Sequence, residues 1–179
     1  MTERNRKGLV QVFTGNGKGK TTAALGTALR AVGQGLKVLM IQFIKGSWPS
    51  GELASARRFG QEFEIRPMGR GFVKAPPEKP APEDIRLVEE AWETARAAMA
   101  SDRYDLVILD EINYAVHYGM IPVERVLEDL GRRPQRLHVI CTGRRADPRL
   151  VEAADIVSEV REIKHPFPQG VQAVPGIDY

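Results

Sequence analysis

At 179 residues the chain has the length of one domain with a sizeable core, and the expectation is a single domain over residues 1–179. It carries 26 Lys and Arg against 23 Asp and Glu, a net +3, which is too weak a bias to argue for nucleic acid. One cysteine excludes a disulfide framework, no apolar run approaches the roughly 18 residues of a membrane span, and the polar start MTERNRKG lacks a signal peptide's apolar core, so no membrane association and a cytoplasmic protein are expected.

In chain order, Leu9 to Phe13 is a short apolar run of strand formers. A glycine-rich loop follows, and Thr21 to Val32 reads as a helix that Gly33 can stop. Lys37 to Ile44 is a second buried strand. Residues 48–51 make a turn before a short helix over Glu52 to Phe59, and Glu62 to Met68 is a third strand, ended by Pro67. Residues 69–82, with four prolines, cannot be regular helix or central strand and read as a surface loop. Pro82 and Glu83 open a helix with Ile85, Val88, Trp92, Ala95 and Met99 on its apolar stripe. Leu106 to Leu109 is a strand ending in Asp110-Glu111, and 110–119 reads as a loop. A helix spans Pro122 to Leu130, stopped by Gly131. Leu137 to Cys141 is a strand, followed by Thr-Gly-Arg-Arg. A short helix over Pro148 to Ala154, a strand over Ile156 to Ile163 and an irregular tail complete the chain.

Strands alternate with helices, and several are continuously apolar, so both faces are buried. That is a three-layer α/β architecture with a mostly parallel sheet. Ligands in such sheets sit beyond the carboxyl ends of the strands, where the loops 14–22, 110–119 and 142–146 leave.

The loop TGNGKGKTT (14–22) stands in the context a phosphate loop requires, after a strand and before a helix. Gly19-Lys20-Thr21 supplies the second half of the pattern, while its first glycine is replaced by Thr14, for which Gly15 and Gly17 can compensate. Backbone N–H groups and a helix N-terminus suit an anion. Gly15, Asn16, Gly17, Lys18, Gly19, Lys20, Thr21 and Thr22 are therefore assigned to a nucleoside triphosphate. Asp105 to Glu111 delivers acids at a strand end beside that loop. Asp110 and Thr21 are assigned to Mg²⁺, with Glu111 orienting water or substrate. Lys20, Thr21, Asp110 and Glu111 form the expected catalytic set. These residues name a ligand class; hydrolysis, phosphoryl transfer and displacement at the sugar all stay open.

Seven stretches narrow the choice: VFTGNGKGKTTAALGTALRAVGQG (12–35), QFIKGSWPSGE (42–52), GF (71–72), VILDEINYA (107–115), TGR (142–144), ADIVSEVR (154–161) and KHPFPQGVQAVPGIDY (164–179). Together they resemble the P-loop type of ATP:corrinoid adenosyltransferase, from about residue 8 to the C-terminus. The resemblance implies a RecA-like fold that binds ATP in reversed orientation. It implies that a corrinoid reduced to Co(I) attacks the 5′ carbon of ATP and triphosphate leaves, so the loop holds the leaving group. It also implies a reduced flavoprotein as electron source and a homodimer. Lys45, which ends a strand and can reach nucleotide or corrinoid, and Glu52 are assigned to the nucleotide, against a solvated lysine and a helix-capping acid. Arg144 and Arg145 follow a strand end, where phosphate, corrinoid amide groups or solvent are all open to them; Arg144 and His165 are assigned to the corrinoid, Arg145 stays without an assigned role, and His117, with no partner at metal spacing, is read as surface or packing. The family pattern Gly-Phe-Thr-Trp, whose aromatics displace the lower axial ligand of cobalt, stands here as Gly71-Phe72-Val73-Lys74. Phe72 and Lys74 are assigned to the corrinoid, and a preference for corrinoids without a strong lower ligand is expected. The competing readings are a generic ATPase or kinase and a non-catalytic binding module; release of triphosphate separates them from the transferase.

Overall fold

The computed structural model describes residues 7–46, 48–71, 73 and 79–178. Its strands are β1 (Val10–Thr14), β2 (Val38–Gln42), β3 (Phe63–Pro67), β4 (Leu106–Asp110), β5 (His138–Thr142) and β6 (Ile156–Glu159). They form one sheet in the order β3-β2-β4-β5-β1-β6, and every pairing is parallel. The helices are α1 (Lys20–Gly33), α2 (Gly51–Ala56), α3 (Pro82–Ala100), α4 (Ile112–His117), α5 (Val123–Arg132) and α6 (Pro148–Ala153).

Two apolar layers sandwich the sheet. Alternate residues of each central strand serve opposite faces, which is why these strands are apolar throughout. Leu39, Ile41, Val107 and Leu109 pack with Val88, Trp92 and Met99 of α3, with Ile112 of α4 and with Val126 of α5. Val38, Met40, Leu106 and Ile108 pack with Ala24, Ala28 and Val32 of α1 and Ala56 of α2. Trp92 and Cys141 are fully buried in the first layer, as expected of core residues.

Several boundaries differ from expectation for local reasons. Gly33 lies inside α1; the stop is Gly35, at φ 75°, whose N–H bonds Val32 while the N–H of Leu36 bonds Ala31, the double closure of a left-handed cap. Gly131 likewise lies inside α5, and Arg133 leaves the helix as an extended residue because Pro134 follows it. Ile85 is exposed: the inward position of that turn belongs to Asp84, whose carboxylate accepts from the Ala81 N–H (3.2 Å) and from Arg70 (2.7 Å). Residues 112–117 form α4 where only a loop was expected. β6 is shorter than expected, because the chain past Glu159 bends over the loop after β1. Among the described residues no helix is long and apolar enough to cross a membrane.

Candidate active site

The site is assembled at the carboxyl ends of β1, β4 and β5. The loop between β1 and α1 uses its glycines for conformation and for close approach. Gly15 sits at φ 96°, and a Cβ there would meet the Val160 carbonyl oxygen at 2.4 Å. A Cβ at Gly17 would lie 2.7 Å from the Arg161 backbone. Thr14, at the position where the pattern has glycine, has its own use: its Oγ1 accepts the Ala146 N–H at 3.1 Å and ties the loop after β5 to β1. One expected donor is already taken, because the Gly17 N–H bonds Val160 O at 2.8 Å, so an anion held by this loop would have to use the other amides. α1 has no acid in its first turn and no side-chain cap, which leaves its positive end free for an anion.

Lys20 is buried and donates to the Gly17 carbonyl at 2.7 Å. Burial pulls its pKa below the usual lysine value, with Glu111 opposing and Arg144 adding to the shift. Thr21 Oγ1 donates to Asp110 Oδ1 at 2.8 Å. The same oxygen accepts from Thr142 Oγ1 at 2.7 Å, and Thr142 in turn accepts the Glu111 N–H at 3.0 Å. Asp110 is fully buried, and its Oδ2 has no hydrogen-bond partner in the structure. Burial raises its pKa; Lys45 and the two hydroxyls work against that.

Glu111 enters α4 from the left-handed region, at φ 64°, a conformation that costs a non-glycine residue about 1 kcal/mol. Burial and the neighbouring Asp110 charge push its carboxyl up to about 7, with Lys20 pulling the other way. The folded protein therefore holds this proton more tightly than the unfolded chain does. The corresponding stability is present below pH 4.5 and is lost as pH rises through about 7. In metal-free protein, Glu111→Gln should flatten that decline and gain about 1–3 kcal/mol at pH 8. Urea titrations in EDTA at pH 4.5, 6 and 8 check it; equal declines in both proteins would assign the effect to another group.

The remaining expected residues fall around this floor. Lys45 pairs with Glu52 at 2.9 Å, and Gln42 Nε2 adds a bond to the same Glu52 oxygen at 3.4 Å. Burial pushes the Glu52 carboxyl up, but the bond and charge of Lys45, with bonds from the Glu52 backbone and the Ser50 side chain, outweigh it and the net shift is downward. Arg144 is exposed, and its charge reaches Lys20, Glu111 and Tyr114. Two clefts of about 540 Å³ flank the loop. Asn16, His117, Arg145 and Asp147 line one, with Arg145 Nη1 and His117 Nε2 3.3 Å apart. Lys18, His165 and the tail line the other, where His165 Nδ1 accepts the Phe167 N–H at 3.2 Å. Lys20, Thr21 and Asp110 line neither. Phe72 and Lys74 lie outside the described residues.

Three residues of the site were not singled out from the sequence. Thr142 is the hydroxyl that ends β5; a Thr after an apolar strand next to the acid-bearing one was the available signal. Gln42 is the lone polar residue of VLMIQ and is buried. Asn113 is fully buried, and its Nδ2 donates to Gly143 O at 3.1 Å, fastening α4 to the loop after β5.

The family described as ATP:corrinoid adenosyltransferase BtuR/CobO/CobP matches residues 6–179. The chain belongs to that family. It is 46% identical to a corrinoid adenosyltransferase of Escherichia coli K12 over 176 residues, covering 98% of this chain and 88% of that one. It is 42% identical to the corrinoid adenosyltransferase of Pseudomonas aeruginosa, with 98% and 86% covered. Among solved structures it resembles the flagellar accessory protein FlaH of Methanocaldococcus jannaschii, with TM-score 0.60 and 11% identity over 86% of this chain and 71% of that one. A RadB recombinase aligns with TM-score 0.51 and 18% identity over 89% and 77%. These two likenesses show the fold alone, and they agree with the expected α/β architecture built on a parallel sheet. As a member of the adenosyltransferase family the chain is an enzyme with ATP and a corrinoid as substrates.

Proposed function

We propose that residues 15–22, with Asp110, Thr142 and Glu111, are where this chain performs its family's reaction. The cobalt electron pair of a reduced corrinoid forms a bond to the 5′ carbon of ATP. The carbon–oxygen bond breaks, and its electron pair leaves with triphosphate. No side-chain nucleophile or general base is required, because Co(I) is itself the nucleophile. The chain's own work is to align the two substrates and to stabilise charge on the leaving group. Lys20 supplies the ammonium, and the amides at the start of α1 supply donors.

The observation that supports this reading most directly is Asp110. A fully buried carboxylate has its Oδ1 held by two hydroxyls, one of them, at 2.8 Å, from the threonine that follows the loop lysine, and its Oδ2 without a partner. That is a fitting donor set for a hard cation that keeps several waters and takes the rest of its shell from phosphate. Among the described residues no three His, Cys, Asp or Glu side chains group as metal ligands, so such an ion would depend on the nucleotide for much of its shell. Bound through Asp110 and Thr21, Mg²⁺ would supply neutralisation of phosphate charge. Lys45 and Glu52 are proposed to border the nucleotide, and Arg144 and His165 the corrinoid. A reduced flavoprotein as electron source is supported by the sequence resemblance. A homodimer is supported by the exposed edge of β6, where Ile156 and Val157 are 40% and 41% accessible.

The test is an anaerobic spectral assay with chemically reduced corrinoid, ATP and Mg²⁺, with the phosphate products identified. Triphosphate is expected; orthophosphate or diphosphate would overturn the reading. Asp110→Asn should raise the Mg²⁺ concentration for half-maximal rate about tenfold, because an amide is a poorer partner for this ion. A Mg²⁺ titration of the variant with the half-point unmoved would take Asp110 out of the metal site.

A further inference from the structure

The segment after β6 turns back across the loop between β1 and α1. Its near end is fixed by backbone: the Val160 N–H bonds Thr14 O, and Val160 O accepts the Gly17 N–H, both at 2.8 Å. Its far end is held through Asp178. That carboxylate pairs with Lys18 Nζ at 2.6 Å and accepts the Val174 N–H at 2.7 Å. Between the two ends the segment is poorly packed: Ile163, Phe167 and Ile177 are 84%, 71% and 72% accessible. The cleft of about 540 Å³ lies between Lys18 and this segment.

We propose that residues 160–178 form a strap latched onto the nucleotide loop by the Asp178–Lys18 ion pair, and that the triphosphate of ATP unlatches it. The inference rests on the reading that the loop binds the triphosphate. Lys18 lies in the middle of that loop, and its ammonium is 2.6 Å from a carboxylate of its own chain. A triphosphate along the loop brings several negative charges to the same ammonium. The two anions repel each other and compete for one cation. The latch is weak enough to lose, because an ion pair at this degree of exposure contributes about 0.2–1 kcal/mol. The near end has no reason to move, since its bonds are backbone to backbone. Coupling of this kind is reciprocal: whatever nucleotide binding costs the latch, the latch costs nucleotide binding. The strap thus makes the opening of the cleft beside Lys18 conditional on ATP being in place.

The experiment is hydrogen exchange of the full chain with and without Mg²⁺ and inorganic tripolyphosphate, combined with ATP binding to Asp178→Asn. In the wild type, tripolyphosphate should speed exchange of the amides at 174–178, where the N–H groups of Val174, Ile177 and Asp178 are now bonded. The Val160 amide should stay protected. In Asp178→Asn those tail amides should exchange fast from the outset and not respond, and ATP should bind about two- to fivefold more tightly. Tail exchange that is unchanged or slowed by tripolyphosphate would overturn the proposal, as would ATP binding to Asp178→Asn that is unchanged or weaker. The wild-type product assay is independent of these readings: a chain that releases orthophosphate fails as a transferase whatever its tail does, and a chain that releases triphosphate with an unresponsive tail fails only here.

Discussion

Lys20→Ala is expected to lower adenosyl transfer at least about 100-fold, on the scale of removing one preorganised contact to developing charge. The lysine is buried, and its ammonium is 2.7 Å from the Gly17 carbonyl of its own loop. Burial disfavours its charge, and nothing in the fold compensates that fully, so the site holds a cation that gains most when an anion arrives. In the transition state the bridging oxygen of the leaving group acquires charge, and alanine offers nothing in its place. Folding should be little affected, because the hydrogen bond of Lys20 to the Gly17 carbonyl stays within the loop. Single-turnover rates with saturating ATP and chemically reduced corrinoid are the measurement. A variant within a few-fold of wild type would remove the loop lysine from the mechanism.

The largest loss of stability is expected from Trp92→Ala, about 3–5 kcal/mol. The indole is fully buried where α3 lies on the sheet, with its ring 6.3 Å from that of Phe43. Its Nε1–H donates to Asp129 Oδ2 at 2.9 Å, which ties α3 to α5. Truncation leaves a void between two helices and the sheet and removes that tie. Denaturant titration should show a lower midpoint with an unchanged slope. A loss below about 1 kcal/mol would mean that α3 collapses into the space and that this layer is looser than its burial indicates.

What could be read from the sequence depended on how far each element carried its own signal. β1, the glycine loop and α1 were legible together, because an apolar strand, a phosphate pattern and a run of good helix formers stand side by side. β4 and its terminal Asp110 were legible for the same reason. α4 was not: Ile-Asn-Tyr-Ala-Val-His contains poor helix formers, and this helix exists because Ile112 and Ala115 are buried against β5 and its neighbours. The left-handed Glu111 is equally invisible to local propensity, since the bond its N–H donates to Thr142 and the packing of α4 hold it there. Gly131 is no stop signal, because the helix runs through it to Arg132 and ends where Pro134 forces Arg133 out of helical conformation. The Asp178–Lys18 contact joins residues at opposite ends of the chain, and no sequence period records it.

The position of β1 sets an order of assembly. This first strand lies between β5 and β6, and its partners are residues 139–142 on one side and 156–159 on the other. During synthesis β1 must wait, unpaired, until the residues of β5 and β6 have left the ribosome. The glycine-rich loop that follows β1 has no fixed place before then. Pairings of such long sequence separation carry the full entropy of loop closure before they return any contact energy, so the last steps of folding should be slow. The nascent chain can complete the β2, β3 and β4 part of the sheet early, and ATP can act as a ligand only on the finished molecule.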